Sequence, residues 1–425
     1  MKTGKKITTF RAFRNRNYSL FFGGQSISQI GTWMQRTGVS WVIYTMTHST
    51  FMLGLAIFAS QFPSFLFSLL GGIVADRHHR YKILLFTQTA SMIQAVLLAL
   101  LVLAKHYTVW EILSLSVILG IINAFDVPAR QPLVHELISD KTELPNAMAL
   151  NSSMVNLARL IGPALSGIVL QKFGAGFCFV LNALSFIAVI ISLRLLKLPP
   201  YKKSLGKKKI ASDLSESFSY LKHTPNISMI ILMLTAISLL VLPFDTLLPV
   251  FAKVIFNGDA VTFGYIFSFI GIGAIAGTFF LASLKPGTNL KIVLLINTIV
   301  MGIGLIFFSH VTFFPLAMLF AILAGFGAMS QGTICITIIQ VNADPDMRGR
   351  VISYLAMAMF GMLPLGSLLI GLVSQHIGVQ DAMLCEGLMA FFITGIFYKF
   401  LRKGKLEKNN TKGFEEAEDL VMEKI

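Results

Sequence analysis

The chain has 425 residues, of which 55% are apolar and only 13% are charged. Because a water-soluble globular protein averages about 25% charged residues, this composition excludes soluble enzymes and disordered proteins and indicates a polytopic membrane protein. The net charge of +15 does not indicate a nucleic-acid partner, since the basic residues cluster at the ends of long apolar runs, where they face lipid headgroups and the cytosol.

Apolar runs of about 20 residues, long enough to cross a hydrocarbon core about 30 Å thick, predict twelve membrane-spanning helices. They lie at residues 18–46, 51–75, 82–104, 110–130, 147–172, 176–196, 226–250, 262–284, 290–309, 313–339, 350–373 and 380–402. The first run is too long for the core of a signal peptide, so we expect it to stay attached as the first span.

The spans fall into six, a basic linker and six. This pattern divides the chain into an N-terminal half (1–197), a cytosolic linker (198–224), a C-terminal half (225–403) and a cytosolic tail (404–425). The predicted fold class is therefore an all-α membrane protein with twelve transmembrane helices in two six-helix halves.

The Lys and Arg residues fall mostly on one side of the predicted helices. If the amino terminus is cytosolic, the cytosolic side carries 30 of the 35 basic residues, and the opposite side carries only Lys105, Lys172 and Lys253. The other two, Arg36 and Arg159, lie within spans. Because cytosolic loops are enriched in Lys and Arg, we expect a multi-pass protein of the cytoplasmic membrane with both termini and the linker in the cytosol.

Two stretches of the chain, 162–174 and 366–378, are related at a constant offset of 204. They share six identities in thirteen positions: Gly162/Gly366, Leu165/Leu369, Gly167/Gly371, Val169/Val373, Gln171/Gln375 and Gly174/Gly378. The match places the fifth span opposite the eleventh and indicates a duplicated six-helix unit. In secondary transporters built from such repeats, the substrate path runs between the halves near the membrane midplane.

A charged loop, residues 72–82, joins the second and third spans. The small Gly72 is expected to let two helices approach closely. Asp76 lies at a helix end, where a neighbouring helix terminus, Arg77 or Arg80 is able to pair with it. Such a cluster is suited to holding one conformation shut, and the alternative interpretation is a basic loop that sets topology and caps a helix.

This loop resembles the cytosolic loop motif of the major facilitator superfamily, from which it departs at His79 and Tyr81. Further stretches, among them 13–18, 28–35 and 126–130, are similar to the drug and siderophore exporters that include the enterobactin exporter. The resemblance covers residues 10–403, and its specific motifs concentrate before residue 200. It implies the twelve-helix fold of the superfamily and transport driven by an ion gradient.

The fifth span carries Gly162 and Pro163, followed by Gly167. A proline removes one backbone hydrogen bond and bends the helix, and small flanking residues let the bent helix pack tightly. The run is similar to the antiporter motif of the superfamily, although Ala158 and Ser166 stand where that motif has glycine. An ordinary Gly-Pro kink of a membrane helix is the alternative.

The first span carries a polar stripe. Gln25, Gln29, Thr32, Arg36 and Ser40 fall within an arc of roughly 80° at 100° per residue, which puts them on one face of an otherwise apolar helix. We interpret the stripe as the lining of a substrate cavity, and an interhelical hydrogen-bond seam is the alternative.

Acidic residues inside the spans are few, and a charge there needs a partner, a cavity or a function. Asp126 lies one turn before Arg130, so an ordinary i,i+4 ion pair and a transport role both stay open, with Arg159 as a possible partner across the bundle. Asp245 and Glu386 lie toward the outer ends, where snorkelling to the surface is the alternative. We select Asp126, Asp245 and Glu386 as candidate proton-coupling residues, with Asp126 first.

The three cysteines, Cys178, Cys335 and Cys385, lie in apolar runs without the spacing of a disulfide framework or a zinc site. We expect no metal and no cofactor. The sequence also carries no glycine-rich phosphate loop, so direct ATP hydrolysis is not expected.

The sequence and the resemblance together predict a secondary active transporter, not an enzyme. The resemblance implies export of a small amphiphilic molecule, such as a drug, siderophore or metabolite, against proton entry. Uptake or lipid flipping on the same scaffold stays open, as does a non-transporting membrane scaffold or sensor. The expected partners are the small-molecule substrate and membrane lipids, and we expect a functional monomer.

Overall fold

The computed structural model describes residues 10–138, 141–197, 219–285, 287–344 and 347–403. Most of the predicted linker (198–218) and the whole predicted tail (404–425) lie outside the described residues. Within the described part, the secondary structure is entirely helical. The predicted all-α class is thereby confirmed.

Twelve long helical segments make up the described chain. In the first half they are α1 (Arg16–Thr47), α2 (Thr50–Arg77), α3 (Arg80–Leu103), α4 (Val109–Leu137), α5 (Leu144–Phe173) and α6 (Ala175–Arg194). In the second half they are α7 (Pro225–Ile255), α8 (Ala260–Ala282), α9 (Leu290–His310), α10 (Phe314–Asn342), α11 (Arg348–Ile377) and α12 (Val379–Lys403).

Eleven of these helices are long and apolar enough to cross a membrane. The remaining one, α1, has 32 residues and therefore the length to span, but its polar stripe makes it less apolar than the others. The largest boundary difference from the sequence prediction is at α4, which continues to Leu137 although it contains Pro128 and Pro132. The apolar run ends at residue 130, but the helix extends beyond it in polar sequence.

Helix α7 is not a continuous α-helix. It is α-helical over Pro225–Leu240 and passes through a 3-10 segment at Leu242–Leu247 before a π-helical turn at Phe251–Ile255. Pro243 and Pro249 explain the break, because neither has a backbone N–H to continue the helical ladder. The break places Asp245 on irregular backbone in the middle of a span.

Glycines that are equivalent in the sequence repeat make equivalent helix contacts in the structure. In the seam between α5 and α8, a Cβ added at Gly167 would stand 2.6 Å from the carbonyl oxygen of Ala260. In the seam between α2 and α11, a Cβ at the equivalent Gly371 would stand 2.6 Å from the carbonyl oxygen of Thr50. The two halves therefore meet through two glycine-dependent seams that are equivalent by the repeat.

Polar contacts close both seams at the same level. Gln171 Nε2 donates to Asp259 Oδ2 at 2.5 Å, and the equivalent Gln375 Nε2 donates to Ser49 Oγ at 2.6 Å. Asp259 and Ser49 are the N-caps of α8 and α2. We call the membrane side on which α1 begins the terminal side and the opposite one the far side. These contacts join the halves at the far side.

The basic asymmetry predicts how the chain lies in the membrane. A reporter that is active only outside the cytosol is expected to be silent when fused after Lys208 or Lys403, and active when inserted near His106 or His376. The reason is that cytosolic loops retain Lys and Arg during insertion. Reporter activity normalised to fusion abundance is the measurement, and an active fusion after Lys208 would contradict the twelve-span topology.

Candidate substrate site between the two halves

The polar stripe of α1 faces the second half because the opposite face of the helix is occupied. Gly24, Gly31 and Gly38, spaced seven residues apart, lie against side chains of α6. The stripe residues Gln29, Thr32 and Arg36 are half-buried. Gln25 is only 1% exposed, and its amide nitrogen has no hydrogen-bond partner among the described residues. The stripe thus turns toward the region between the halves.

An ion pair joins the two halves at this stripe. Arg36 Nη2 on α1 lies 3.4 Å from Asp245 Oδ2 on the broken segment of α7. The distance is longer than in a well-formed charge-assisted hydrogen bond. The side chains of Arg36 and Asp245 keep 37% and 23% of their surface exposed. Because the far ends of the seams are closed, we infer that solvent reaches this pair from the terminal side.

Trp33 lies beside this ion pair, and two guanidinium groups lie over its ring. The guanidinium carbons of Arg36 and Arg159 each lie 5.0 Å from the centre of the Trp33 ring, within the range of cation–π attraction. Arg159 Nη1 also contacts the sulfur of Met329 on α10. Its buried Nε has no hydrogen-bond partner among the described residues. Arg159 therefore brings α5 into the site.

Glu386 on α12 is the second acid near this pair. It is 2% exposed, and neither carboxylate oxygen has a hydrogen-bond partner among the described residues. It lies within electrostatic range of Asp245 on α7. Snorkelling of Glu386 to the membrane surface is therefore wrong, since its helix turns the side chain into the protein. We call Arg36, Arg159 and Asp245 beside Trp33, together with Glu386 near Asp245, the charged cluster.

Asp126, the third candidate acid, lies apart from this cluster. It is 1% exposed, and its Oδ1 accepts hydrogen bonds from Thr87 Oγ1 at 2.8 Å and Gln88 Nε2 at 2.7 Å. Its Oδ2 pairs with Arg130 one turn later on α4. The expected partnership with Arg159 across the bundle is not found, because Arg159 lies against Trp33. In this conformation Asp126 links α3 to α4.

The charged loop is loosely held on the terminal side. Asp76 is 72% exposed and lies 3.9 Å from Arg80, whose other nitrogen pairs with Glu136 at 2.5 Å. Arg77 is also exposed. The ion pairs that Asp76 and Arg80 make are with residues of the first half, which fits a structure whose halves meet at the far side.

The close helix approach expected at Gly72 occurs one residue earlier. A Cβ at Gly72 would have no neighbour within 4 Å, whereas at Gly71 it would collide with the backbone of Ala124 on α4. The sequence interpretation was wrong on this point, because Gly71 and not Gly72 points at the neighbouring helix in this conformation.

The Gly162-Pro163 segment of α5 packs against α1 and α8 next to the site. A Cβ at Gly162 would stand 2.5 Å from Cβ of Trp33, so the glycine leaves room for the tryptophan. On the other side of α5, a Cβ at Gly264 would stand 2.6 Å from the carbonyl oxygen of Pro163. Small residues thus let α5 lie tightly between α1 and α8, directly beside the charged cluster.

Sequence reasoning missed Trp33 and Met329 as members of this site. Trp33 precedes Arg36 by three residues and so lies on the same face of α1, which was an available signal. Met329 carries no such signal, because it is one of 19 methionines in an apolar chain. Among the described residues, no three His, Cys, Asp or Glu side chains are grouped so that they could hold a metal ion.

Comparison with known proteins gives the context of this site. Residues 7–424 match the family described as transmembrane secretion effector. The chain is 28% identical to the staphyloferrin A transporter of Staphylococcus aureus, over 91% of this chain and 97% of that protein. It is 24% identical to the enterobactin exporter of Shigella flexneri, over 81% and 80%. The solved nucleoside transporter NupG has the same fold, with a TM-score of 0.73, 15% identity and coverage of 92% and 100%.

Proposed function

Because the chain belongs to the transmembrane secretion effector family of the major facilitator superfamily, we propose that it exports a small amphiphilic molecule in exchange for protons. The molecule is a siderophore, a drug or a metabolite, and the exchange takes place across the cytoplasmic membrane. The match to relatives that are named as a siderophore transporter and a siderophore exporter supports this proposal.

The observation that supports the proposal most is the ion pair between Arg36 and Asp245. It joins one half to the other at the interface between the repeats, where a transporter of this architecture binds its substrate. A weak pair at this position is one that a substrate is able to replace, so that binding changes the interaction between the halves. Export needs such a link between occupancy and conformation.

Accumulation in cells tests the proposal. Cells with and without the chain are loaded with a panel of siderophores and toxic amphiphiles, and the retained amount of each is measured over time. Lower retention of at least one compound in cells that carry the chain supports export. Higher retention supports uptake, the second function that the same scaffold serves.

A non-transporting scaffold or sensor predicts a different outcome. Neutralisation of Arg36, Asp245 or Glu386 should then leave every cellular phenotype unchanged at normal abundance. The charged cluster argues against this alternative, because burying ionisable groups in a membrane is costly and they are retained mainly where they function.

The charged loop gives a prediction for the opposite conformation. Asp76→Asn is expected to lower the export rate about tenfold at normal membrane abundance, which corresponds to the loss of one charge-assisted contact in a state closed at the terminal side. Abundance is expected to be normal because Asp76 is 72% exposed here. Export rate and abundance are measured together, with Asp381→Asn as the control, since that acid is 60% exposed at the far side. Equal loss of both for Asp76→Asn would instead indicate a role in folding.

A further inference from the structure

We propose that the charged cluster binds a polycarboxylate, with one carboxylate on Arg159 and a second on Arg36, across the face of Trp33. The inference rests on the proposed transport function and names the substrate class of that site.

One cation of the site, Arg159, has no acid in ion-pair contact among the described residues, although the charge of Asp245 acts on it from a greater distance. Arg36 has Asp245 at 3.4 Å, whereas the contacts of Arg159 among the described residues are the ring of Trp33 and the sulfur of Met329. Neither of these groups carries a negative charge. A guanidinium in a membrane protein is normally paired, because isolated charge there is costly. Arg159 is therefore able to take an anion in direct contact.

The present contact of Arg36 indicates which chemical group the site accepts. Its occupant in this structure is a carboxylate, that of Asp245, held weakly enough to be exchanged. A guanidinium binds a carboxylate through two parallel N–H donors, a geometry stronger than the single 3.4 Å contact present here. A substrate carboxylate that approaches in this way is expected to displace Asp245.

The spacing of the two cations suits a ligand with more than one acidic group. Both guanidinium carbons lie 5.0 Å from the same ring centre, so they are separated by at most about 10 Å. A compact dicarboxylate or tricarboxylate is able to reach both. The carbon chain between its acids would lie against the indole, which offers an apolar surface between the two charges.

Asp245 acts in this arrangement as an internal competitor of the substrate. While the site is empty, it neutralises Arg36, and its second oxygen, Oδ1, is without a hydrogen-bond partner among the described residues. Removing its charge should therefore strengthen polycarboxylate binding. A residue that merely holds the fold together would not have that effect.

Binding to the purified full-length chain in lipid nanodiscs tests the inference. The probes are the linear dicarboxylates from malonate to adipate, citrate, the methyl ester of each acid, pyrophosphate and spermidine. Dissociation constants and the thermal midpoint of each protein–probe mixture are measured. We expect at least one acid to bind and raise the midpoint, and its methyl ester to do neither.

The variants separate the roles of the three charged groups. Arg159→Gln and Arg36→Gln are expected to weaken binding of that acid at least about tenfold, the loss of one charge-assisted pair. Asp245→Asn is expected to strengthen it. Arg194→Gln, an exposed basic residue at the end of α6, is the matched control and should leave binding unchanged. The ligand-free thermal midpoint of each variant identifies any that is misfolded, and Asp245→Asn, whose expected effect is a gain, cannot be imitated by misfolding.

Several outcomes would overturn the inference. They are that no acid binds, that the esters or spermidine bind as well as the acids, that pyrophosphate binds more tightly than every carboxylate, or that Asp245→Asn fails to strengthen binding.

The cellular accumulation assay tests the proposed function separately from this inference. Export of neutral compounds alone would leave export standing and remove the polycarboxylate, whereas binding of acids without any change in accumulation would remove export.

Discussion

Gly371→Leu is expected to abolish export while leaving the chain folded in the membrane. A Cβ at this position would stand 2.6 Å from the carbonyl oxygen of Thr50 and 3.2 Å from Cα of Phe51. Both are backbone atoms, which have no rotamer to move into, so the leucine has to separate α11 from α2. Because that seam closes the far side in this structure, the variant should be unable to return to this conformation, and export requires both conformations in turn.

The export rate normalised to membrane abundance measures this effect, and a labelling experiment identifies its cause. A cysteine is placed at Thr32 on the polar stripe, in a chain where the exposed Cys385 is alanine. In Gly371→Leu this cysteine should react faster with a membrane-impermeant maleimide added from the far side, because the seam no longer closes over it. Gly167→Leu should have the same effect, since Gly167 has the equivalent position in the α5–α8 seam.

Gly395→Leu on α12 is the matched control. A Cβ at Gly395 would meet nothing within 4 Å, so a leucine there should leave export normal. If Gly371→Leu exported at the normal rate, the far-side seam would not be part of the transport cycle. If it were absent from the membrane, the equivalent Gly167→Leu and the smaller Gly371→Ala would show whether the seam is needed for folding or for transport.

The sequence predicted the helices and the repeat because both depend on local pattern. Each span is a long apolar run, and the six identities at an offset of 204 mark residues that occupy equivalent seams. The close approaches through Gly167 and Gly371 follow from that repeat, since a position needing a small residue in one half needs it in the other. The break in α7 was also signalled, by Pro243 and Pro249.

The pairing of the intramembrane charges could not be predicted in the same way. A helical pattern shows which face of α1 carries Arg36, but which acid faces it depends on how twelve helices pack. The sequence analysis ranked Asp126 first, but in the structure that acid pairs with Thr87, Gln88 and Arg130. Asp245, which the sequence places toward the outer end of its span, reaches Arg36 because the irregular backbone of α7 turns it inward.

Some buried polar groups of the bundle are connected by hydrogen bonds and others are not. In the first half, Gln35 accepts from Asn182 at 2.8 Å and donates to Gln94 at 3.1 Å, a connected network. In the second half, both polar atoms of the Asn297 side chain and both oxygens of Glu386 lack hydrogen-bond partners among the described residues. A satisfied network holds helices in one arrangement, whereas an unpaired buried charge is costly. Glu386 is therefore better placed to gain and lose a proton than Asp126, both of whose oxygens are paired.

Glu386→Gln is accordingly expected to abolish substrate-driven proton movement while substrate still binds, and we propose Glu386 as the first of the three coupling acids. Among the described residues, no donor and no cation is in hydrogen-bond contact with its carboxylate. Binding a proton is therefore the way in which this buried charge is neutralised. Glutamine has the same shape and cannot exchange a proton, so it separates coupling from packing. The measurement is the signal of a pH-sensitive dye inside reconstituted vesicles after substrate is added, with Glu386→Asp expected to retain part of it.

Asp126→Asn and Asp245→Asn provide the comparison. Asp126→Asn should lower stability by up to about 3 kcal/mol, because it leaves a partly buried Arg130 without its acid, and the protein that remains folded should still move protons. Asp245→Asn should change substrate binding before it changes coupling, because its partner is Arg36. If substrate still drives proton movement in Glu386→Gln, this assignment is wrong. If it does so even in the triple variant, no carboxylate of this set carries the proton, and the chain works with another ion or as a uniporter.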